Sequence, residues 1–206
     1  MNEYLKKLND QNELNHALKE QLRQYAAINH VPIINKDSLD MIIGLLKMMN
    51  KPRILEIGTA IGYSSICFAD YASSIVTIER DIKMKEEAIK NINEASLNDK
   101  INLIFDDALK IDEKTLGKFD VIFIDAAKAQ YLNFFNKYSP LLNDDGIIIT
   151  DNILFHGNVE NQENLTKNVL SMVKKIDNYN HFLALNPSFS TTFVNIGDGI
   201  AITKRK

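Results

Sequence analysis

The chain has 206 residues, of which 45% are hydrophobic and 25% are charged, and its formal net charge is −3. These values are ordinary for one globular domain with a large core. They exclude a chain that is polycationic throughout, although a local basic patch could still meet nucleic acid. The single cysteine, Cys67, excludes a disulfide framework and a cysteine-based zinc site.

No convincing linker, repeat or low-complexity tract interrupts the sequence, so we predict one domain over residues 1–206, with residues 1–50 as an N-terminal helical arm. The first residues lack the apolar run of a signal peptide. No stretch reaches the roughly 18 apolar residues of a membrane span. We therefore expect a cytoplasmic protein that does not bind membranes.

The arm begins with apolar residues that recur at spacings near 3.6, which predicts one helix over residues 3–29. Pro32 disfavours helical geometry at the residue before it and ends this helix. Asp37 or Ser38 is expected to cap a second helix that continues to Met49.

From residue 54 onward, continuous apolar runs alternate with helix-compatible stretches. The predicted strands cover residues 54–57, 74–79, 101–105, 119–124 and 147–150, and a turn is predicted at 143–146. The predicted helices cover residues 63–72, 81–97, 130–142 and 164–178. Two last strands are predicted at 181–185 and 193–203, the second with a turn or bulge at 197–199. This alternation is typical of an α/β fold with a parallel sheet covered by helices on both faces.

The first of these strands leads into the pattern Glu56-x-Gly58-x-Ala60-x-Gly62. Strand, glycine turn and helix are the opening of a nucleotide-binding unit, because glycine permits a sharp turn and a close backbone approach to a ligand. A carboxylate at position 56 is unfavourable beside a pyrophosphate. It suits a ligand with a cationic end, such as the amino group of S-adenosylmethionine (SAM). A purely structural turn is the alternative.

Acidic residues follow the next two strands. In open α/β sheets the ligand lies outside the carboxyl ends of the strands. There, Glu79 could accept hydrogen bonds from two ribose hydroxyls, and Asp107 would lie near an adenine amino group. Each could instead be a helix cap or a turn residue.

Oxygen-bearing side chains also end the fourth and fifth strands: Asp125, Asp151 and Asn152. Two carboxylates and an amide are hard ligands that suit Mg²⁺, Mn²⁺ or Ca²⁺, whereas strand-end capping is the structural alternative. Lys128 is three residues beyond Asp125 and could point back into the same pocket or into solvent. His156 could touch a substrate or be solvated.

Together these motifs resemble those of the cation-dependent O-methyltransferases, the family that includes catechol and caffeoyl-CoA O-methyltransferases. The matching segments are residues 55–64, 77–79, 107–108, 123–128 and 150–152. The resemblance implies a Rossmann-like SAM-dependent methyltransferase fold with a mostly parallel, seven-stranded sheet. It implies SAM and Mg²⁺, or another divalent cation, as cofactors.

The resemblance also assigns roles to individual positions. It implies that the metal ligands are Asp125, Asp151 and Asn152 and that the catalytic residues are Lys128 and Asp125. The cofactor-binding residues that it implies are Ile34, Glu56, Gly58, Ser64, Glu79, Asp107, Ala108 and Asp125. Ile34 departs from the family pattern, since a methionine is common there.

Four segments, residues 30–34, 124–131, 150–155 and 197–202, are most similar to the bacterial branch of this family that methylates 5-hydroxyuridine at the tRNA wobble position. This likeness implies a tRNA anticodon loop as partner and 5-methoxyuridine as product, and a homodimer is expected from it. Lysines of the N-terminal helix and the C-terminal residues 204–206 could meet tRNA phosphates.

Three alternatives remain open at this point. A small-molecule catechol-type O-methyltransferase shares every implied catalytic residue. A nicotinamide-dependent oxidoreductase is disfavoured because Glu56 and Ala60 alter the pyrophosphate turn. A non-catalytic RNA-binding module is disfavoured by the net negative charge and by the lack of an aromatic and basic RNA motif.

Overall fold

The N-terminal arm consists of three helices in the computed structural model, which describes residues 2–11, 13–14 and 16–206. These are α1 (Glu3–Gln11), α2 (His16–Asn29) and α3 (Lys36–Met48). The prediction of one helix over residues 3–29 is therefore wrong. Glu13 leaves the helical path because its carboxylate pairs with Arg23 of α2, at 3.0 and 3.1 Å. Positions 12 and 15 of the predicted helix lie outside the described residues.

The cap of α3 also differs from the prediction. Asn35 caps the helix, since its side chain accepts a hydrogen bond from the Asp37 backbone N–H at 2.8 Å. Asn is as good a cap as Asp or Ser, so the sequence did not separate the candidates. Ser38 instead lies inside the first turn of α3 and is fully buried.

Seven strands form one mixed sheet in the order β3-β2-β1-β4-β5-β7-β6. Five strands are parallel, and β7 pairs antiparallel with both β5 and β6. Their bounds are β1 (Arg53–Ile57), β2 (Ser74–Glu79), β3 (Ile101–Phe105), β4 (Phe119–Ile124), β5 (Leu142–Asp151), β6 (Phe189–Val194) and β7 (Ile200–Arg205). The predicted fold class, a mostly parallel seven-stranded sheet with helices, is confirmed.

Helices connect the strands and cover both faces of the sheet. They are α4 (Tyr63–Ala69), α5 (Ile82–Glu94), α6 (Tyr131–Tyr138) and α7 (Lys167–Ala184). In β4, Val121 and Phe123 pack into the core beneath α3, α4 and α5, whereas Ile122 and Ile124 pack into the core beneath α6 and α7. Alternate residues of a strand point to opposite faces, so continuous apolar strands are what a sheet buried on both sides requires.

Three predicted elements are corrected by the structure. The predicted turn at 143–146 lies inside β5, next to a register irregularity in its pairing with β4. The predicted strand at 181–185 falls mostly in α7, because Val173, Ile176, Tyr179 and Leu183 continue one buried helical stripe. The predicted strand at 193–203 is divided between β6 and β7 of a hairpin, and the turn or bulge predicted at 197–199 falls in the turn of that hairpin.

Over the described residues, none of the helices combines the length and the apolar character that a membrane crossing requires.

Candidate active site

The glycine turn after β1 brings two strand ends into contact. Gly58 has a φ of 105°, and a Cβ on it would overlap the backbone carbonyl oxygen of Asp125. Only glycine fits this approach. Gly62, at a φ of 83°, precedes the first residue of α4. The turn therefore needs glycine at both positions for reasons of conformation or space.

A cavity of about 280 Å³ lies at the carboxyl ends of β1 to β4, in front of this turn. Seven of the residues predicted from the sequence line it: Gly58, Glu79, Asp107, Ala108, Asp125, Lys128 and Asn152. Four predicted residues do not line it: Ile34, Glu56, Ser64 and Asp151. The seven lining residues include positions implied for the cofactor and positions implied for the metal, so both sets surround the same cavity.

Glu79 is held at the cavity wall by three backbone N–H groups. Its Oε2 accepts from Ala60 at 2.8 Å, and its Oε1 accepts from Arg80 at 2.8 Å and Asp81 at 2.7 Å. A carboxylate with this many donors is fixed in direction. It is therefore suited to receive hydroxyl hydrogen bonds from a ligand.

Asp107 is anchored less tightly, at the end of the cavity beyond β3. Its Oδ1 accepts from the Leu109 backbone N–H at 3.0 Å, and its Oδ2 lies 3.9 Å from an Arg80 guanidinium nitrogen. This carboxylate accordingly has capacity for another donor.

Glu56 lies beneath the cavity rather than on its surface. One carboxylate oxygen accepts hydrogen bonds from Ser65 and, at 2.6 Å, from Thr77, whereas Oε1 is buried without a hydrogen-bond partner. Burial is the main cause that raises the pKa of Glu56 to about 7; the hydrogen bonds from Ser65 and Thr77 oppose that rise, and the charge of Asp125 contributes to it. Direct contact with a cofactor amino group stays a prediction, and so does cofactor contact by Ser64.

Ile34 is 4% exposed and packs in the core, and its neighbours Pro32 and Ile33 line the cavity in its place. The sequence identified the correct segment but not the side chains that face the cavity. A loop without periodicity carries no signal for which side chain points inward.

The predicted metal ligands lie at the ends of adjacent strands, because Ile124 of β4 pairs with Thr150 of β5. Asp125 and Asp151 each follow one of these residues, and Asn152 adopts a left-handed φ of 58° just after β5. Asp151 is completely buried, and its Oδ2 has no hydrogen-bond partner.

The two carboxylates influence each other electrostatically. Burial, followed by the nearby charge of Asp125, raises the pKa of Asp151 to about 7, although the backbone N–H of Asn152 and the charge of Lys128 oppose this rise. Burial also raises the pKa of Asp125, and the Lys128 charge opposes that rise. A positive charge between the two would therefore be strongly favoured.

Lys128 supplies a positive charge at this position. It turns back into the cavity, and its Nζ donates to Asn152 Oδ1 at 2.5 Å. The position of Lys128, three residues beyond Asp125, thus brings the amine to the group of oxygen donors.

Across residues 2–11, 13–14 and 16–206, no three His, Cys, Asp or Glu side chains form a cluster that could hold a metal. The candidate set consists of two carboxylates and one amide. Its chemistry fits a hard divalent cation, since all three donors are oxygens and Asp151 Oδ2 is an unpaired buried acceptor.

Several contacts to this group were not predicted. Tyr131 donates its hydroxyl to the Asp151 carbonyl oxygen at 2.8 Å, and Ser38 lies 3.5 Å from Asp151 Oδ1. Asp198 accepts from the His156 backbone N–H at 2.5 Å. His156 itself is exposed and does not line the cavity. These partners come from distant segments, so no local spacing indicates them.

The C-terminal basic residues lie at the end of the sheet opposite the cavity, where the parallel strands begin. Lys204 pairs across from Ile147, whereas Ile200 pairs with Asp151 at the cavity end. Arg205 donates to the Ser139 carbonyl at 2.8 Å, and Lys206 donates to the Asn186 carbonyl at 2.8 Å. These residues are therefore distant from the cavity, and their contact with tRNA phosphates stays a prediction.

Known proteins match this chain over nearly its whole length. The O-methyltransferase family model matches residues 7–206. A caffeoyl-CoA O-methyltransferase of Populus kitakamiensis is 31% identical over 171 residues, which are 78% of this chain and 73% of that protein. A flavonoid 3',5'-methyltransferase of Vitis vinifera is 29% identical, over 88% of this chain and 81% of that protein.

Solved structures give the same result. A Staphylococcus aureus protein, provisionally named a caffeoyl-CoA O-methyltransferase, is 40% identical to this chain. Its TM-score is 0.91, and the match covers 98% of each chain. An O-methyltransferase of Bacillus cereus, solved in complex with SAH, is 27% identical, with a TM-score of 0.80 and coverage of 92% of this chain and 91% of that one.

Proposed function

Because this chain belongs to the O-methyltransferase family, we propose that it transfers the methyl group of SAM to the ring hydroxyl of 5-hydroxyuridine at the tRNA wobble position, giving 5-methoxyuridine. A divalent cation, Mg²⁺ or a similar ion, assists the reaction. The observation that carries the proposal is the meeting of Asp125, Asp151 and Asn152 at adjacent strand ends, beside the cavity in front of the glycine turn.

SAM occupies the cavity in this proposal. The three backbone N–H groups that donate to Glu79 hold its carboxylate in place to accept hydrogen bonds from the ribose hydroxyls. Asp107 accepts a hydrogen bond from the adenine amino group. Gly58 lets the cofactor approach the backbone of the turn. The complex of the Bacillus cereus relative with SAH supports this cofactor.

Asp125, Asp151 and Asn152 would hold the cation. When bound, such an ion supplies Lewis-acid chemistry, which lowers the pKa of the substrate hydroxyl and fixes its position. Asp151 Oδ2 is suited to this role because no other group satisfies it. Lys128 would then be displaced from Asn152 toward the substrate.

Lys128 either accepts the hydroxyl proton at an uncharged Nζ or, as an ammonium, stabilises the negative charge on the substrate oxygen while the proton leaves to solvent. The substrate oxygen forms a bond to the methyl carbon as the bond from that carbon to the sulfonium sulfur breaks, and the electron pair stays on sulfur. The remaining residues contribute by holding the two reactants in line.

The substrate assignment depends on local chemistry. In 5-hydroxyuracil the hydroxyl lies beside the C4 carbonyl, so the two oxygens present a bidentate pair like that of a catechol. A small-molecule catechol-type acceptor is the second candidate, favoured by the names of the caffeoyl-CoA and flavonoid methyltransferases that resemble this chain.

The position of the N-terminal arm supports the tRNA assignment. Asn9 of α1 donates to Asp40 of α3 at 3.0 Å, and Lys36 lies 3.4 Å from Asp10. The first turns of α3 carry Ser38, next to Asp151, so α1 lies at the same edge of the sheet as the cavity. Lys6 and Lys7 of this helix would meet phosphates of the anticodon arm.

A homodimer completes the proposal. Ile28 and Met48, at the ends of α2 and α3, are 76% and 77% exposed, and a second copy could cover such apolar side chains. Light scattering of the purified protein distinguishes a dimer from a monomer.

The test of the function uses purified protein, SAM, Mg²⁺ and tRNA from a strain that lacks this protein. Nucleoside mass spectrometry should show 5-hydroxyuridine converted to 5-methoxyuridine, and no conversion should occur with an Asp151→Ala variant. Methylation of caffeoyl-CoA or catechol without any conversion of tRNA would favour the second candidate.

A further inference from the structure

The turn between β6 and β7, residues 196–199, lies outside the lining of the cavity. It contacts Ser38, which lies beside Asp151, and the segment 153–156, which follows Asn152. We propose that Asp198 in this turn is a positioning residue: it holds the segment after β5 in the conformation that directs Asn152 toward the cation. This inference rests on the proposed function, because it assigns a role in the same site.

Asp198 and its neighbour bind three backbone N–H groups of that segment. Ile153 N–H donates to the Gly199 carbonyl at 3.2 Å, and Leu154 N–H donates to the Asp198 carbonyl at 3.0 Å. His156 N–H donates to Asp198 Oδ1 at 2.5 Å. The third bond uses the side chain, so the identity of residue 198 decides whether it forms.

The held segment has an unfavourable backbone conformation. Asn152, Phe155 and His156 have φ values of 58°, 47° and 56°, in the left-handed region. Asn and His adopt this region more readily than most residues, whereas a bulky residue such as Phe155 is strained there. Strain of about 1 kcal/mol or more persists only where surrounding contacts impose it. The hydrogen bonds to the turn are such contacts.

Two glycines allow the turn to come this close. A Cβ on Gly199 would lie 2.6 Å from Leu154 Cγ and 2.9 Å from Ile153 Cγ1. A Cβ on Gly197 would overlap the Ser38 hydroxyl, which itself lies 3.5 Å from Asp151 Oδ1. The turn therefore packs against the segment after β5 and against the residue that contacts Asp151.

The second oxygen of Asp198, Oδ2, is buried without a hydrogen-bond partner, and the His156 imidazole Nδ1 lies 3.7 Å from it. A buried acceptor that lacks a hydrogen bond is unfavourable for stability. The bond that Oδ1 accepts from the His156 backbone N–H is therefore the hydrogen bond through which this carboxylate holds the segment.

The experiment measures Mn²⁺ affinity by electron paramagnetic resonance in the full-length wild type and two variants. Asp198→Ala should weaken Mn²⁺ binding about 10-fold, the loss typical for a residue that orients a metal ligand. Asp198→Asn keeps an acceptor oxygen for His156 N–H and should bind Mn²⁺ within about 3-fold of the wild type. Hydrogen exchange at His156 should accelerate in Asp198→Ala and not in Asp198→Asn.

A glycine pair separates this role from general destabilisation. Gly199→Ala places a methyl group against Leu154 and should weaken Mn²⁺ binding. Gly117, just before β4, has a φ of 76°, close to the 80° of Gly199, so Gly117→Ala introduces a similar left-handed strain. The new methyl group would meet only the Arg53 side chain. It should leave Mn²⁺ affinity unchanged.

Equal Mn²⁺ affinity in Asp198→Ala and the wild type would overturn the positioning role and leave the proposed function intact. Failure of the wild type to bind Mn²⁺ would overturn the cation-dependent function and this inference with it.

Discussion

The end of the sheet where the parallel strands finish, the carboxyl edge, and the end where they begin, the amino edge, use charged side chains in different ways. At the carboxyl edge, Glu56 and Asp151 each keep a buried oxygen without a hydrogen-bond partner, and burial raises the pKa of both to about 7. At the amino edge, long cationic side chains satisfy backbone carbonyls. Arg53 donates to the Lys118 and Leu116 carbonyls at 2.6 and 3.0 Å, and Lys118 donates to the Pro140 carbonyl at 2.6 Å.

This difference separates binding from stability. The amino edge uses cations to satisfy carbonyls that would otherwise lack partners, which stabilises the fold. The carboxyl edge keeps acceptors that no group of the described chain satisfies, and it contains left-handed residues such as Asn152. Unsatisfied acceptors around a cavity are unfavourable for folding but favourable for binding a cation. Matched substitutions at the two edges test this distinction.

The largest expected effect is that of Asp151→Ala. Removal of this carboxylate eliminates one cation ligand, so the methyl-transfer rate should fall at least about 10³-fold. SAM binding measured by calorimetry should persist, since Asp151 does not line the cavity. The matched control is Asp145→Ala near the amino edge, where the side chain is fully exposed and should not affect turnover. Turnover of Asp151→Ala that a chelator does not reduce would contradict the metal assignment.

Lys128→Met should lower kcat by about 10²- to 10³-fold, the contribution of a group that accepts or stabilises a proton. Its effect on the Kd of SAM should be small. Lys118→Met removes the hydrogen bond to the Pro140 carbonyl at the amino edge. It should lower the free energy of unfolding by about 1 kcal/mol without changing kcat. Equal kcat for Lys128→Met and the wild type would remove Lys128 from the reaction.

Glu56 should make stability depend on pH. Its pKa is raised from 4.5 to about 7 in the folded protein, so between these values the folded state holds a proton that the unfolded state has lost. The free energy of unfolding should therefore fall as pH rises from about 4.5 to 7, by up to about 3 kcal/mol.

Glu56→Gln should remove this part of the pH dependence, as measured by urea unfolding in the presence of a chelator. A similar contribution from Asp151 should persist in the variant, since its pKa is also raised to about 7. An unchanged pH profile in Glu56→Gln would show that folding does not raise the pKa of Glu56, and it would contradict this prediction.

The smallest expected effect concerns tRNA affinity. Replacing Lys6 and Lys7 together with Ala should weaken binding several-fold, and each phosphate that the variant no longer neutralises should lower the salt dependence of binding by about one unit. The matched double variant, Lys204→Ala with Lys206→Ala at the amino edge, should bind tRNA as the wild type does. The reverse result would show that tRNA binds at the amino edge and would contradict the proposal.

The sequence predicted the central strands well because they are buried on both faces and are therefore continuous apolar runs, and β2 and β4 have the predicted bounds. The edge strand β3 also has the predicted bounds, although only its first residue is buried. The hairpin β6–β7 was harder to predict. Phe193 is exposed, and the apolar residues of α7 continue through the region predicted as a strand, so local pattern did not separate helix from strand.

The site was predictable where position along a strand determines it. Glu79 and Asp125 stand at the ends of apolar runs, and the carboxyl ends of parallel strands lie at the same end of a sheet whatever conformation the loops adopt. Pro32 and Asp198 were not identified as contributors because their roles depend on how distant segments pack. No spacing within the sequence specifies that the turn at 196–199 holds the segment after β5.

The most direct test of the central claim is a crystal structure of the protein with Mn²⁺ and S-adenosylhomocysteine, with the metal located by anomalous scattering. We predict one peak at about 2.2 Å from oxygens of Asp125, Asp151 and Asn152, beside the sulfur atom of the cofactor. A peak away from these three residues, or none at saturating Mn²⁺, would contradict the account.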